Sequence, residues 1–261
     1  IEPDVYVKNP KKYKELAMLR LVPKVMQNFT EGEDVTDKVI NGTITLDIGK
    51  GAYVLYCVAK INGYVGVTHG APGAKGPVLN HYNKEAVKRY LNRTSDLVNG
   101  KMGNMGDYLR AVFCDSLELE GSNWCVDMFE QFEKRRGYSI VPYYPLLLKK
   151  IEHFGYPIEG DYGCAFSDEV QQLLNRVNLD YYHTRLELFR ERFIDTFNDW
   201  CHSNNVLSRV QAYGRGYHPL ESSMLVDIPE TETWLFKGVG RSFPNNSQQG
   251  RAHRVSNKFV A

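Results

Sequence analysis

The chain has no excess of either charge. Lys and Arg number 32 against 31 Asp and Glu in 261 residues. That balance argues against a nucleic-acid binder, which needs a basic surface to displace counterions. The longest basic run, Lys134-Arg135-Arg136, reads as the solvated end of a helix. No apolar stretch approaches the roughly 20 residues that span a bilayer, so no membrane helix is expected. Cysteine is scarce, and Cys57, Cys114, Cys125, Cys164 and Cys201 form no CxxC or other zinc spacing. Their odd number, with Cys57 and Cys114 inside apolar runs, predicts buried free thiols. Glycines crowd Gly66 to Gly76, but without a GxGxxG or a Gly-Lys-Ser/Thr, so a shaped loop is expected there and not a phosphate cradle. The first residue is Ile1, not Met, and no leader is expected in this stretch. The chain stops on Val260-Ala261 within a helical pattern, and a fragment of a longer protein is expected.

Aromatics are abundant: 17 Tyr, 12 Phe and 3 Trp. Tyr and Trp fill cores and also stack on sugar faces, so the count leans only slightly toward carbohydrate. The most informative stretch is Asp115-Ser116-Leu117-Glu118-Leu119-Glu120. It follows an apolar run, Leu109 to Cys114, and precedes a helical pattern, Trp124 to Arg136. A carboxylate at the end of a buried parallel strand costs several kcal/mol of desolvation unless it is paired. In α/β folds that position faces the site mouth. A second acidic cluster, Asp227 to Glu232, closes another apolar run, Met224 to Val226. Two such clusters suggest a carboxylate pair acting on a polar substrate.

Residues 8–19 are charged and read as helix or loop. Asn41-Gly42 marks a turn, and Ala52 to Ala59 alternates as a strand. Asn83 is a candidate cap for a helix carrying Ala86, Val87, Tyr90 and Leu91. Asn123 is a candidate cap for the next, with Val126, Phe129 and Phe132 as its stripe and Gly137 as its left-handed stop. Pro142 and Pro145 read as a loop. The longest helix is expected over Leu179–Cys201. Strands follow at Val206–Ala212 and Met224–Ile228, then a polar helix over 245–258. Repeated strand–helix–strand units with polar strand ends predict an α/β fold, an incomplete (β/α)8 TIM-type barrel. A β-rich insertion is expected over 1–75 and a partial barrel over 76–261.

Asp115-Ser116-x-Glu118, Asn123-Trp124, Phe132-x-x-Arg135-Arg136-Gly137-Tyr138 and Pro142-Tyr143-x-Pro145 stand in this order along the chain. Taken together they resemble the signature of glycoside hydrolase family 106, the α-L-rhamnosidases. Upstream, Asn41 to Thr45, Gly51 to Leu55 and Gly76 to Val87 follow in the family's order. Downstream, Gln211-Ala212-Tyr213-Gly214 and Asp227-Ile228-Pro229-x-x-Glu232-x-Trp234 do the same. Departures stand at Asn80 and Tyr53, where Asp and Trp are usual, and at Glu230-Thr231, where Met-Gly is usual.

The resemblance implies an inverting hydrolase that removes terminal α-L-rhamnose from a polysaccharide or glycoside. It also implies calcium at the sugar hydroxyls and a secreted or periplasmic full-length protein. Its expected partner is carbohydrate, with no nucleic acid and no membrane. Inversion needs a protonated carboxyl at the leaving oxygen and an ionised one that activates water, about 6.5–9.5 Å apart. Glu118 is the candidate acid, with Glu120 as its local rival and a helix-capping or salt-bridged carboxylate as the plain alternative. Glu232 is the candidate base. If the base stands on a strand beyond Ala261, Glu232 becomes a calcium or sugar ligand. Asp115, Asn123, Trp124, Gln211, Tyr213, Asp227 and Glu230 are candidate substrate contacts. Spacing selects no metal ligands, and His69, His81 and His183 are read as structural or exposed. Two rival functions are a retaining glycosidase, with carboxyls about 5–5.5 Å apart, and a non-catalytic carbohydrate-binding homologue.

Overall fold

The computed structural model describes residues 14–61, 72, 78–118, 123–147, 163–211, 214–215 and 219–230. In chain order the strands begin with β1 (Lys14–Pro23), β2 (Val25–Met26), β3 (Glu33–Asp34) and β4 (Tyr53–Ile61). Then come α1 (Lys84–Met102), β5 (Ala111–Cys114), β6 (Leu117–Glu118), α2 (Met128–Arg136), α3 (Tyr144–Leu147) and β7 (Ala165–Phe166). A long helix, α4 (Asp168–Phe189), passes through a π-helical turn at Arg190–Ile194 into α5 (Asp195–Ser203). The described chain closes with β8 (Leu207–Gln211), β9 (Gly214–Arg215), α6 (Pro219–Leu225) and β10 (Ile228–Glu230). No described helix is long and apolar enough to cross a membrane.

The chain divides into two compact units, one of residues 1–78 and 127–182, the other of 79–126 and 183–261.

The first unit is built on an antiparallel sheet ordered β3-β1-β4, with Leu19 opposite Cys57 and Val22 opposite Val54. Residues 14–19, expected as helix or loop, lie in β1. Pairing along the whole of β4 decides the conformation, because charged Glu15 and Arg20 can face outward or find partners on a pleated surface. Asn41 and Gly42, both with positive φ (51° and 76°), close the Ile40–Thr43 bridge, as the Asn-Gly signal requires. Along β4 exposure alternates: Val54, Tyr56 and Val58 are half-buried, and Tyr53, Leu55 and Cys57 are exposed. Cys57 is therefore not a buried thiol, because its parity turns it outward. All five cysteines are free, and Cys125, Cys164 and Cys201 are buried.

The core of this unit joins Val22, Met26, Leu146, Cys164, Val170 and Leu174. The parallel pair β2–β7 and a hydrogen bond from the Cys164 amide to Tyr56 Oη (2.8 Å) bring these residues together. In α2, Gly137 ends the helix in the left-handed conformation (φ 80°), as the sequence indicates. Its start differs. Asp127, not Asn123, occupies the N-cap, and Val126 lies before the helix at 90% exposed. Pro145 belongs to the short helix α3.

The second unit carries a parallel sheet ordered β10-β8-β5. Asn83 caps α1, its Oδ1 accepting from the Ala86 amide at 3.0 Å. Val87 and Leu91 are buried, while Tyr90 is exposed and so lies off the packed stripe. The helix expected to begin at Leu179 begins at Asp168, and its stripe from Phe189 through Phe193 and Phe197 to Trp200 is buried. Ser208 and Val210 are fully buried, and Ser208 Oγ donates to Asn198 of α5 at 2.6 Å. That face of β8 therefore packs on the helices. The Met224–Val226 run, expected as a strand, is the end of α6 and the turn after it; the strand is Ile228–Glu230. Both described sheets of three strands are open, so the architecture is a mixed α/β fold without a closed ring among the described residues.

Candidate functional site

The carboxyl ends of β5, β8 and β10 form one rim. Register fixes who stands beside whom. Cys114 and Pro229 both pair with Val210, and Glu230 pairs with Gln211. Asp115 follows Cys114 directly, so by count it is level with Gln211 and Glu230. Three residues singled out from the sequence thus share one row. Neighbouring strands are about 4.8 Å apart, which puts the β5 and β10 backbones about 10 Å apart across β8.

The two sides of β8 differ in kind. Arg209 and Gln211 share the side away from α5, since side chains alternate along a strand. Gln211 Nε2 donates to Glu230 Oε1 at 3.2 Å, and Arg209 Nε donates to Glu230 Oε2. The Arg209 guanidinium also lies 5.3 Å from the ring centre of Phe113 on β5. The Glu230 side chain is 12% exposed and that of Arg209 43%. A carboxylate this buried needs a countercharge and a hydrogen bond, and here it has both. Sequence reasoning missed Arg209. The i, i+2 spacing of Arg209 and Gln211 within a predicted strand was the available signal.

Beyond Cys114 the β5 line continues as β6, which pairs in parallel with β9: Leu117 with Gly214 and Glu118 with Arg215. From Cys114 to Leu117 is three residues, whereas from Val210 to Gly214 is four. The β8–β9 side thus carries one residue more, an irregularity typical of strand ends beside sites. The backbone of Glu118 therefore stands on this strand-end continuation. The Glu118 side chain, Glu120, Tyr213 and Glu232 lie outside the described residues. Asp115 is exposed, and its Oδ1 accepts from the Ser116 amide at 2.7 Å. Asn123 and Trp124 are half-buried in the loop before α2.

Asp227 stands elsewhere. It precedes β10, so it lies at the amino end of the parallel strands, with Ser208. Its Oδ2 accepts from the Ser208 amide (2.8 Å), with Ser208 Oγ 3.0 Å and His202 Nε2 2.8 Å away. Burial alone would raise the Asp227 carboxyl, but the Ser208 and His202 contacts outweigh it and hold the group below its usual range. The structure does not bring Asp227 to the rim with Asp115, Gln211 and Glu230.

His81, just ahead of α1, is buried with no hydrogen-bond partner on Nδ1. Its ring meets Phe193 at 4.5 Å, and burial lowers its pKa to about 4, so it is neutral in ordinary buffers. Among the described residues no three His, Cys, Asp or Glu side chains are grouped to hold a metal. Glu230 faces a guanidinium, which disfavours a cation there.

A family model described as alpha-L-rhamnosidase matches residues 33–257. A protein of Formosa agariphila named "Putative beta-glucuronidase" is 26% identical over 168 residues, which are 64% of this chain and 13% of that protein. The solved structure of a rhamnosidase from Novosphingobium sp. PP1Y superposes with a TM-score of 0.62 at 20% identity. It covers 89% of this chain and 22% of that one, a likeness of fold. The chain thus spans a minor part of the length of both relatives.

Proposed function

The chain belongs to the α-L-rhamnosidase family of glycoside hydrolases, and we propose that it carries part of a site that removes terminal α-L-rhamnose from a larger glycoside with inversion. The observation that carries this reading is the row Asp115–Gln211–Glu230 across three parallel strand ends, with Glu118 just beyond on the same edge. In α/β folds of this kind substrates bind at that rim.

Glu118 is the proposed general acid, giving its proton to the leaving oxygen. Glu232, two residues past the end of β10, is the proposed base, drawing a proton from water on the opposite face of the sugar. Inversion, which needs about 6.5–9.5 Å between carboxyls to admit water, is proposed on the family resemblance over retention at about 5–5.5 Å. Asp115, Gln211 and Tyr213 are proposed to bond sugar hydroxyls, and Asn123 and Trp124 to bound the pocket. Calcium stays a proposal from the family resemblance, and no step runs through it. Secretion or periplasmic export of the full-length protein is likewise proposed on the resemblance alone.

The second reading is a uronide-cleaving enzyme, favoured by the name of the Formosa relative. Full-length protein assayed on aryl α-L-rhamnoside and aryl β-D-glucuronide separates the two. Rhamnoside cleavage is expected; cleavage of the glucuronide alone overturns the proposal. Proton NMR of the first-formed sugar then reads the stereochemistry. Release of the β anomer is expected, and release of the α anomer makes the enzyme retaining. Binding of rhamnosides without turnover identifies a carbohydrate-binding homologue.

A further inference from the structure

The Arg209–Glu230 pair has a consequence for which sugars the rim accepts. Arg209 is the cation that the described rim strands turn toward the side away from the helices, and Glu230 neutralises it. Phe113 braces the guanidinium from β5, and Gln211 of β8 holds the other carboxylate oxygen, so the pair is fixed at both of its ends. A free arginine at such a place would be a strong carboxylate receptor, because its planar fork matches a carboxylate in two parallel hydrogen bonds. Bonded to Glu230 through Nε, it presents no net charge. An incoming anionic sugar would also meet Glu230 itself, and like charges brought together inside a site reject a ligand.

We propose that the Arg209–Glu230 pair is a specificity device that selects a neutral sugar over a uronic acid, by cancelling the cation that β8 positions to receive a carboxylate. The inference rests on the proposed rim being the sugar site. It assigns Arg209 a part in substrate choice that neither the acid nor the base performs. Its plain rival is a structural ion pair in the sheet interior with no bearing on ligands.

A charge cycle on the full-length protein decides between them, read by titration calorimetry with L-rhamnose and D-glucuronate. Wild-type protein is expected to bind glucuronate at least about tenfold more weakly than rhamnose. Glu230→Gln removes the countercharge and is expected to tighten glucuronate by about tenfold. Arg209→Gln in addition should return glucuronate to its wild-type weakness, a reversal that loss of structure would not produce. Arg209→Gln alone removes the cation beside Glu230 and should weaken glucuronate further while rhamnose binding persists. Circular dichroism accompanies each variant, and if Glu230→Gln does not fold, the Arg209→Gln arm and the double variant carry the test. Glucuronate affinity that is the same in wild type and Glu230→Gln overturns the inference, as does a gain that survives in the double variant. Wild-type protein that prefers glucuronate overturns it too. Failure to cleave any rhamnoside would instead count against the rhamnosidase reading, and leaves the charge cycle to be judged on its own.

Discussion

Asp227 and Ser208 hold each other twice: the carboxylate accepts the Ser208 amide at 2.8 Å, and the Asp227 amide donates to Ser208 Oγ at 3.0 Å. This clasp pins the start of β10 to β8 at the end of the strands remote from Gln211 and Glu230. It sets the register that puts Glu230 beside Gln211. Asp227→Asn keeps the shape but weakens charge-assisted acceptance, and is expected to cost about 1–3 kcal/mol. Urea unfolding of the full-length protein checks it. The carboxyl is held below its usual range in the folded state, so its contribution is present above the unfolded value and is lost as pH falls through the folded one. Asp227→Asn should remove that part of the acid sensitivity.

His81 works in the same sense on the proton balance, as a buried base kept neutral. Its pKa falls from 6.5 to about 4, so between those values the unfolded chain binds a proton that the folded chain refuses. Stability is expected to fall as pH drops through that window. At about 1.4 kcal/mol per unit, the loss approaches about 3 kcal/mol. His81→Phe, which keeps the ring contact with Phe193, should flatten this part of the profile. Thermal midpoints of both proteins from pH 7 to pH 4 measure it, and parallel profiles would show that His81 does not set the slope.

Gly106 sits where a side chain has no room. A Cβ there would lie 2.7 Å from Asn205 Cβ and 2.9 Å from the Asn204 carbonyl oxygen, in the turn that leads from α5 into β8. Asn205 itself has φ of 56°. Gly106→Ala therefore forces a backbone shift and is expected to cost about 1–3 kcal/mol. Amide hydrogen exchange across 204–211 is the direct readout, with faster exchange expected in the variant.

Local chemistry made much of this fold legible. The Asn83 cap, the Asn41-Gly42 turn and the Gly137 stop each rest on one residue type meeting one backbone need, and each stands where the sequence put it. The strands around Tyr53–Val58, Ala111–Cys114 and Leu207–Gln211 were readable because their apolar runs are short and bounded. What escaped depends on distant partners. β1 is a strand because β4 lies along it, and no local pattern of Lys14, Glu15 and Arg20 says so. Met224–Val226 is too short to tell helix from strand, and Pro229 hid β10. Proline is tolerated there because β10 is the edge of the described sheet. At the rim, counting residues from Cys114 would have levelled Asp115 with Gln211 only if the β5–β8 register were known. The family motif brought Asp227 forward by its position in sequence, whereas the structure sets it at the amino end of β10, bound to Ser208.

The most direct measurement is turnover by Glu118→Gln in the full-length protein, on an alkyl α-L-rhamnoside whose poor leaving group needs a proton. The expected result is a loss of kcat of about 10²–10⁴-fold with rhamnose binding retained. Hydrolysis at the wild-type rate would contradict the assignment of Glu118 as the acid, and with it the account of this rim as a hydrolytic site.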